Sequence, residues 1–278
     1  MAKATSSNDE PFVIQPIQTR TIGVRIVGTS PFIMHRFAAK AWEELLYPSG
    51  RKTASVRANS MKHNPVEEFR GCLYKNRDTR TPTLFHMPNG MFHRAMASAA
   101  MDIPGPASRA QMTRLTSIGD QINLYGIPAF YMAMVRSSDM AKTPDVRTRP
   151  VFSRWACEID IQYVLNPLND AAIVNLLGAA GIIVGVGDGR PQRGMGFGKF
   201  RIAPEDDPEF AEIVETGARA VQQAAFDKPQ AFDAETEELM AWFDAEVLRR
   251  RQDDRPDVVP AKAKGRKSLN GVEAGAVQ

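Results

Sequence analysis

Alternation of apolar and polar residues predicts the main strands of this chain. Residues 19–28 and 155–165 alternate through most of their length, which is the pattern of a strand with one buried face. Residues 127–135 are rich in aliphatic and aromatic side chains and predict a buried strand. Residues 197–203 predict a shorter strand that follows a glycine-rich run. These segments predict a sheet built from distant parts of the chain.

Apolar residues at helical spacing predict helices between these strands. Residues 168–185 carry this spacing, and residues 87–100 are typical of a turn followed by a helix that Asn89 caps. Pro65 suits the first position of a further short helix. The remaining predicted elements are a helix over 38–47, a short strand over 83–86, a helix over 107–123, and two amphipathic helices over 204–226 and 234–251. Residues 48–64 and 137–150 are basic, lack either period, and predict loops.

The order of these elements predicts an α+β fold. Between residues 155 and 203 the chain runs strand, helix, glycine-rich loop and strand, which is the order of a compact βαβ-like half of an α+β sandwich. No internal repeat is evident. One large domain, or two modest ones, would account for a chain of 278 residues.

Charge is distributed unevenly along the chain. The net charge is +3, but residues 1–203 hold 25 Lys and Arg against 15 Asp and Glu, a balance of +10, whereas residues 204–278 hold 10 against 17, a balance of −7. A basic body attracts polyanions, and an acidic appendage can screen it or dock on a basic neighbour. Ordinary solvated surface stays an open alternative on charge alone. We predict a flexible arm over 1–18, a basic main domain over 19–203, an acidic helical extension over 204–252 and a disordered tail over 253–278.

Composition argues against several classes of protein. The longest apolar stretch is far shorter than the roughly 20 residues of a membrane span, and the polar start lacks the apolar core of a signal peptide. We therefore expect a cytoplasmic protein without a membrane partner. Cys72 and Cys157 match neither a disulfide framework nor a metal-ligand spacing, and we expect buried free thiols. No metal site and no cofactor are expected.

The run GIIVGVGDGRPQRGMGFGKF, residues 181–200, carries the main functional signal. A P-loop requires Ser or Thr after Gly-Lys, but Phe200 follows Lys199. A dinucleotide fingerprint opens a helix after a strand, whereas this run follows a predicted helix and enters a strand. Backbone N–H groups in such glycine-rich segments can form anion-binding concavities, and guanidinium groups project from the run. Phosphodiester is the expected ligand; the alternative is a loop whose glycines only permit tight packing.

The same run resembles the glycine-rich loop of the RAMP superfamily, the ferredoxin-like RNA-binding proteins of CRISPR systems, whose members carry a late G-x-G-x-x-R-x-x-G-F-G-x-F-like segment. MPNGMFHRAMASAA, residues 87–100, resembles the superfamily segment in which a turn opens a helix with a basic residue facing nucleic acid. The resemblance implies a modified ferredoxin-like, RRM-like palm with finger or thumb insertions at 36–80 and 136–154 and with helices following it. Within this superfamily, the chain resembles the backbone subunits of CRISPR effector complexes, or a phage or mobile-element relative of them.

The candidate nucleic-acid contacts are histidines and cationic residues near these segments, together with two glycines of the run. They are His35, Arg36, His93, Arg94, Arg147, Arg149, Gly187, Gly189, Arg190, Arg193 and Lys199. Asp188, the acid in the run, is expected to cap the glycine turn. Neighbouring phenylalanines are candidates for base stacking, with core packing as the alternative; they are Phe32, Phe37, Phe92 and Phe152.

The leading function is binding of single-stranded RNA or DNA through its backbone, with copies assembling side by side as a homo-oligomer or filament, alone or with other effector-complex subunits. A second hypothesis is a RAMP-type endoribonuclease, in which His35 and His93 would act as base and acid. The scattered histidines form no recognised catalytic or ligand spacing, which favours binding over catalysis. A third hypothesis is an assembly or adaptor protein that uses its acidic helices.

Overall fold

The computed structural model describes residues 16–36, 63–103, 108–119, 121–136 and 144–253. These residues form an α+β fold, which confirms the predicted class. Several predictions fall wholly or mainly outside the described ranges; they are the arm, the helix over 38–47, the loop over 48–64, Phe37 and the tail after Asp253.

Strands and helices are distributed along the whole described chain. The strands are β1 (Thr19–Gly28), β2 (Phe32–Ile33), β3 (His86–Pro88), β4 (Thr116–Ile118), β5 (Gln121–Tyr125), β6 (Pro128–Arg136), β7 (Pro144–Phe152), β8 (Ala156–Val164) and β9 (Phe200–Ala203). The α-helices are α1 (Pro65–Gly71), α2 (Gly90–Asp102), α3 (Arg109–Leu115), α4 (Asp170–Ala179), α5 (Pro208–Thr216), α6 (Arg219–Asp227) and α7 (Ala234–Asp253). A π-helical turn, Ala180–Val184, continues α4, and a 3-10 turn, Pro191–Arg193, follows it.

The larger sheet has the strand order β3-β5-β8-β1-β9, and β4 also pairs with β8. β1 is antiparallel to both of its neighbours, and its pairing with β8 is continuous from Thr19↔Val164 to Val27↔Ala156. In chain order, β1, α2 and β5 form one strand-helix-strand unit, and β8, α4 and β9 form a second. The first strands of the two units therefore lie side by side at the centre of the sheet.

One face of this sheet is buried along the strands, and the opposite face is covered at one end. Paired residues such as Ile26 and Cys157 lie on one face and are fully buried, while α2 and α4 pack against each other through Ala97 and Ala100 of α2. The next pair along the strands, Val27 and Ala156, points to the opposite face, where it packs with Ile213 of α5. Most other alternate residues of β8 on that face are exposed, so the predicted strand with one buried face is confirmed over most of β8.

The smaller sheet has the strand order β2-β7-β6. β6 and β7 pair in continuous antiparallel register from Pro128↔Phe152 to Arg136↔Pro144. The loop predicted over 137–150 is therefore wrong from Pro144 onward. Two prolines disguise the strand pattern, but Pro144 begins the strand, and the carbonyl of Pro150 accepts a hydrogen bond from Met34 N at 3.1 Å.

The segment predicted as one helix over 107–123 changes structure part-way. The helix prediction is confirmed over α3 and is wrong over β4 and β5. Ile118, Ile122 and Leu124 are all buried, and β4 and β5 pair with β8 along its length. Pairing with a distant strand thus overrides the local helical pattern.

A cluster of aromatic rings forms the core beneath the smaller sheet and β9. The ring centroids of Phe32 and Trp155 lie 5.3 Å apart, and those of Phe92 and Phe200 also lie 5.3 Å apart. Phe152 packs against Phe32 at 6.0 Å. Since Phe32, Phe92 and Phe152 are fully buried, core packing accounts for these three of the four candidate stacking rings.

The single helix predicted over 204–226 is wrong, because the chain forms two helices there. Gly217 ends α5, and α6 starts at Arg219. The Gln222 side chain, which is fully buried, accepts hydrogen bonds from Leu84 N and Phe85 N at 2.7 and 3.3 Å and donates to Leu124 O and Gly126 O at 2.7 and 3.0 Å. The amide thereby replaces missing strand partners, and α6 is bonded to the strands of the larger sheet.

The chain divides into two compact units, residues 1–238 and 239–278. The described part of the second unit is the C-terminal portion of α7. Within the described ranges, no helix combines the length and the apolar character that crossing a membrane requires.

Candidate nucleic-acid interface

Residues 185–199, here called the glycine loop, connect the π-helical turn to β9. The loop folds back on itself, with Val186 N donating to Gly198 O at 2.9 Å and Phe197 N donating to Gly189 O at 3.0 Å. It is also fixed to the segment around β2, because Asp188 N donates to Ile33 O at 3.0 Å. The loop is thus held by backbone hydrogen bonds at several points.

Most of the loop glycines are explained by close approach to the protein itself. Gly187 and Gly198 have φ of +78° and +71°, a region that favours glycine. A Cβ at Gly187 would overlap the Phe32 ring, and one at Gly198 would overlap the Val186 carbonyl oxygen. By contrast, a Cβ at Gly194 or Gly196 would meet no atom within 4 Å. The glycines with close neighbours therefore allow the loop to pack tightly on itself and against the aromatic core.

A cleft of about 720 Å³ lies between the glycine loop and α2. Four guanidinium groups line it, from Arg94 of α2, Arg109 of α3, and Arg190 and Arg193 of the loop. Asp188 is the one acid among the described lining residues. Arg94, Arg109 and Arg193 form no ion pair with any carboxylate of the described residues. The cleft therefore presents an excess of positive charge to a ligand.

Arg190 is the most constrained of these cations. Its Nη1 donates to Gly187 O at 3.1 Å and its Nε donates to Gln192 Oε1 at 3.2 Å, so the side chain is held within the loop. Partial burial, followed by the charges of Arg193 and Arg94, lowers the pKa of Arg190 below its ordinary value, while Asp188 opposes this shift. An anion bound among these guanidinium groups would relieve their mutual repulsion.

Asp188 is engaged at the base of the cleft. Its Oδ2 lies 2.7 Å from Arg149 Nη1 and 3.3 Å from His35 Nδ1, and its Oδ1 accepts from Gly189 N at 3.0 Å. The hydrogen bond with His35, together with Arg149 and the Gly189 N–H, holds the pKa of Asp188 well below its usual range despite partial burial. The capping role expected for Asp188 is accompanied by an ion pair, so this carboxylate is already neutralised by groups of the protein.

The structure brings some of the sequence-predicted residues together in the cleft and leaves others outside its lining. Those that line the cleft are His35, Arg94, Gly187, Arg190 and Arg193. The others are Arg36, which is exposed; His93 and Arg147, which are half-buried; Arg149 and Gly189, which are buried; and Lys199, which is exposed. The grouping supports one site around the glycine loop.

The two histidines considered as catalytic base and acid lie in different surroundings. His35 lines the cleft, whereas His93 Nε2 lies 3.1 Å from Thr116 O and links α2 to β4. Among the described residues, no group of three His, Cys, Asp or Glu side chains could hold a metal ion. Both cysteines are buried and free, and burial raises the pKa of Cys72 to about 11. The raised pKa disfavours the Cys72 thiolate, and His93 lies outside the lining of the cleft that includes His35.

Two cleft residues escape the sequence-based reasoning. Arg109 begins α3 directly after Ser108, which forms a capping box with Gln111. That pattern could have located the start of a helix, but it carries no sign of a cleft. Tyr74 is the last residue of the segment that predicts a short helix from Pro65, whereas α1 ends at Gly71, and its position in the cleft results from tertiary structure.

Comparisons with solved structures include a distant likeness to a ribonucleoprotein. No protein-family model matches the chain, and no curated protein matches it. The chain is similar to one chain of the cryo-EM structure of the type III-B Cmr-beta bound to cognate target RNA, with 10% sequence identity and a TM-score of 0.37. The alignment covers 67% of this chain and 59% of that chain. The chain thus spans about three fifths of the length of this neighbour.

Proposed function

We propose that this protein binds single-stranded nucleic acid, RNA in particular, through the sugar-phosphate backbone in the arginine-lined cleft. The observation that carries the proposal is the convergence of Arg94, Arg109, Arg190 and Arg193 on one open cleft whose acid, Asp188, is paired with Arg149. Arginines without carboxylate partners in a groove are suited to phosphate, because the guanidinium fork matches its oxygens. A cationic groove of this kind binds a strand with little regard to its sequence.

The connectivity of the larger sheet supports a relationship to RAMP proteins. The strands of the two strand-helix-strand units lie in the order β5-β8-β1-β9, which is the arrangement expected of a ferredoxin-like palm. The glycine-rich run and the helix at 87–100 supply the sequence resemblance. On this proposal, β7 lies within the finger or thumb inserted at 136–154, and the nucleic-acid-binding domain spans residues 19–203 with an acidic helical extension after it.

A backbone-binding site of this kind is suited to repetition along a strand. We propose that copies of the chain assemble side by side on RNA, as in a cytoplasmic CRISPR-type ribonucleoprotein or a phage or mobile-element relative of one. Each copy would bind a short stretch of the strand in its own cleft. Electron microscopy of the protein on a long single strand would reveal such a filament.

The proposal is tested by binding of a labelled homopolymer across a salt series from about 50 to 200 mM. Neutralised phosphates release counterions, so the log of affinity should fall with the log of salt by about 0.7 for each phosphate contact on a single strand. Replacing both Arg190 and Arg193 by alanine should weaken binding at low salt and reduce this slope by roughly 1.4. Affinity that is insensitive to salt would contradict backbone binding.

A matched control separates local contacts from net charge. Arg20 and Lys228 are exposed, do not line the cleft and lie outside both proposed insertions, so R20A/K228A changes the net charge by the same amount. This control should keep nearly the wild-type slope. Equal losses in the two double variants would mean that the glycine loop is not the binding site.

A further inference from the structure

The cleft has an apolar component beside its arginines. Tyr74, Pro88 and Met91 line it together with the charged residues, and Tyr74 is the one tyrosine, phenylalanine or tryptophan among the described lining residues. A ligand that entered the cleft with phosphate groups alone would have no apolar surface to place against these three side chains. Nucleobases have apolar faces and require such surfaces when they are unpaired.

The backbone of Tyr74 is fixed on both sides. Tyr74 N donates to Met34 Sδ at 3.3 Å, and Tyr74 O accepts from His86 N at 3.0 Å. Two residues further on, Asn76 N donates to Leu84 O at 2.9 Å, which holds the segment against the strand that leads into β3. The ring is therefore carried by a defined backbone, and little conformational entropy would be lost when a ligand stacks on it.

The Tyr74 ring keeps part of its surface accessible beside its neighbours in the fold. The ring is half-buried, and its hydroxyl makes no hydrogen bond with any described residue, whereas a buried tyrosine hydroxyl usually has a partner. The imidazole of His86 lies 5.7 Å from the ring centroid at a tilt of 53°. Burial, reinforced by Arg36, lowers the pKa of His86, which favours the neutral imidazole.

Arg36 is an exposed partner of this ring. Its guanidinium carbon lies 5.8 Å from the ring centroid, and the side chain is exposed. An exposed cation–π contact is weaker than the stacking of a base on an aromatic ring. A base can therefore take the place of the guanidinium, which is then available to a neighbouring phosphate.

We infer that Tyr74 is a stacking platform for an unpaired nucleobase of the strand bound in the cleft. This inference rests on the proposed function and adds a second kind of contact to it: the arginines hold phosphates, and Tyr74 holds a base. The phenylalanines that the sequence offers for this role, Phe32, Phe92 and Phe152, are fully buried in the core and cannot stack on a ligand.

The test compares a normal oligoadenylate with an abasic strand of the same length and charge. Tyr74→Ala should lose about tenfold in affinity for the normal strand and almost none for the abasic strand, because only the first has bases to stack. Tyr74→Phe keeps the ring and should bind both strands like the wild type. Tyr74→Leu keeps apolar bulk without the ring and should behave like the alanine variant.

Each other outcome overturns the inference in a distinct way. Equal losses on both strands would mean that Tyr74 supports the phosphate site or the fold, and retained binding by Tyr74→Leu would mean that apolar contact suffices. Unchanged affinity of Tyr74→Ala for the normal strand would exclude the stacking role while leaving the backbone-binding proposal intact. Failure of the wild type to bind either strand at low salt would overturn both proposals.

Discussion

Three glycines of the glycine loop allow its backbone strain and its packing to be measured separately. Gly196 lies outside the positive-φ region, and a Cβ there would meet no atom within 4 Å. Gly194 has a φ of +77° but the same open surroundings. Gly198 combines a φ of +71° with overlap of the added Cβ and the Val186 carbonyl oxygen. Alanine at the three positions therefore adds one physical effect at a time.

The expected losses follow from these differences. Alanine at Gly196 should change the free energy of unfolding by less than about 0.5 kcal/mol. At Gly194 the left-handed conformation should cost about 1 to 2 kcal/mol. At Gly198 the overlap with backbone must also displace the hydrogen bonds from Val186 N to Gly198 O and from Gly198 N to Pro31 O, worth about 0.5 to 1.5 kcal/mol each. The total at Gly198 is about 2 to 5 kcal/mol.

Urea denaturation of the wild type and the three variants measures these free energies. The expected order of destabilisation is Gly198 greatest, Gly194 intermediate and Gly196 least. Equal losses at Gly194 and Gly198 would refute the argument that overlap with Val186 matters, since the loop would then relax without cost. A stable Gly198→Ala protein would refute the loop conformation itself.

Two further predictions concern groups that join distant elements. Asp188→Asn should destabilise the fold by about 1 to 2 kcal/mol at pH 7, a value reduced because the carboxylate is 36% exposed. His35 and Arg149 depress the pKa of Asp188, so the wild type loses this contribution in acid, and the difference between the proteins should narrow progressively below about pH 4 in urea titrations. A constant difference down to about pH 2 would contradict the ion pair. Gln222→Met should cost about 3 kcal/mol or more, because buried backbone groups lose their partners, whereas Met at the exposed neighbour Gln223 should cost little; equal midpoints in thermal melts would contradict this.

The strands with a regular pattern were predictable because burial on one face repeats every second residue. β1 and β8 follow this rule, and their register pairs Ile22, Val24 and Ile26 with apolar or sulfur-containing residues of β8. β7 and the pair β4 and β5 were not predictable, because prolines and short length hide their period. Their structure depends on partners elsewhere in the chain, and local patterns do not report such partners.

The site was predictable in part for a similar reason. Glycines and arginines concentrated in one run indicate close approach and positive charge, and the loop does line a cleft with Arg190 and Arg193. What the glycines approach was not predictable, because Gly187 meets the Phe32 ring from a segment more than 150 residues away. Tyr74 and Arg109 reach the cleft through the same long-range packing, and no spacing in the sequence marks them.

The charge balance counted along the sequence differs from the field that a ligand meets. Several acids of the C-terminal extension are engaged by arginines of the body, since Arg201 pairs with Asp207 and Glu209 at 2.6 and 2.7 Å and Arg154 pairs with Glu212 at 2.7 Å. These ion pairs neutralise the positive charge of Arg154 and Arg201, neither of which lines the cleft. The cleft arginines form no ion pair with a carboxylate of the described residues. Binding should therefore follow the local arrangement around the glycine loop and not the net charge of either half, which is why a charge-matched variant elsewhere is the decisive control.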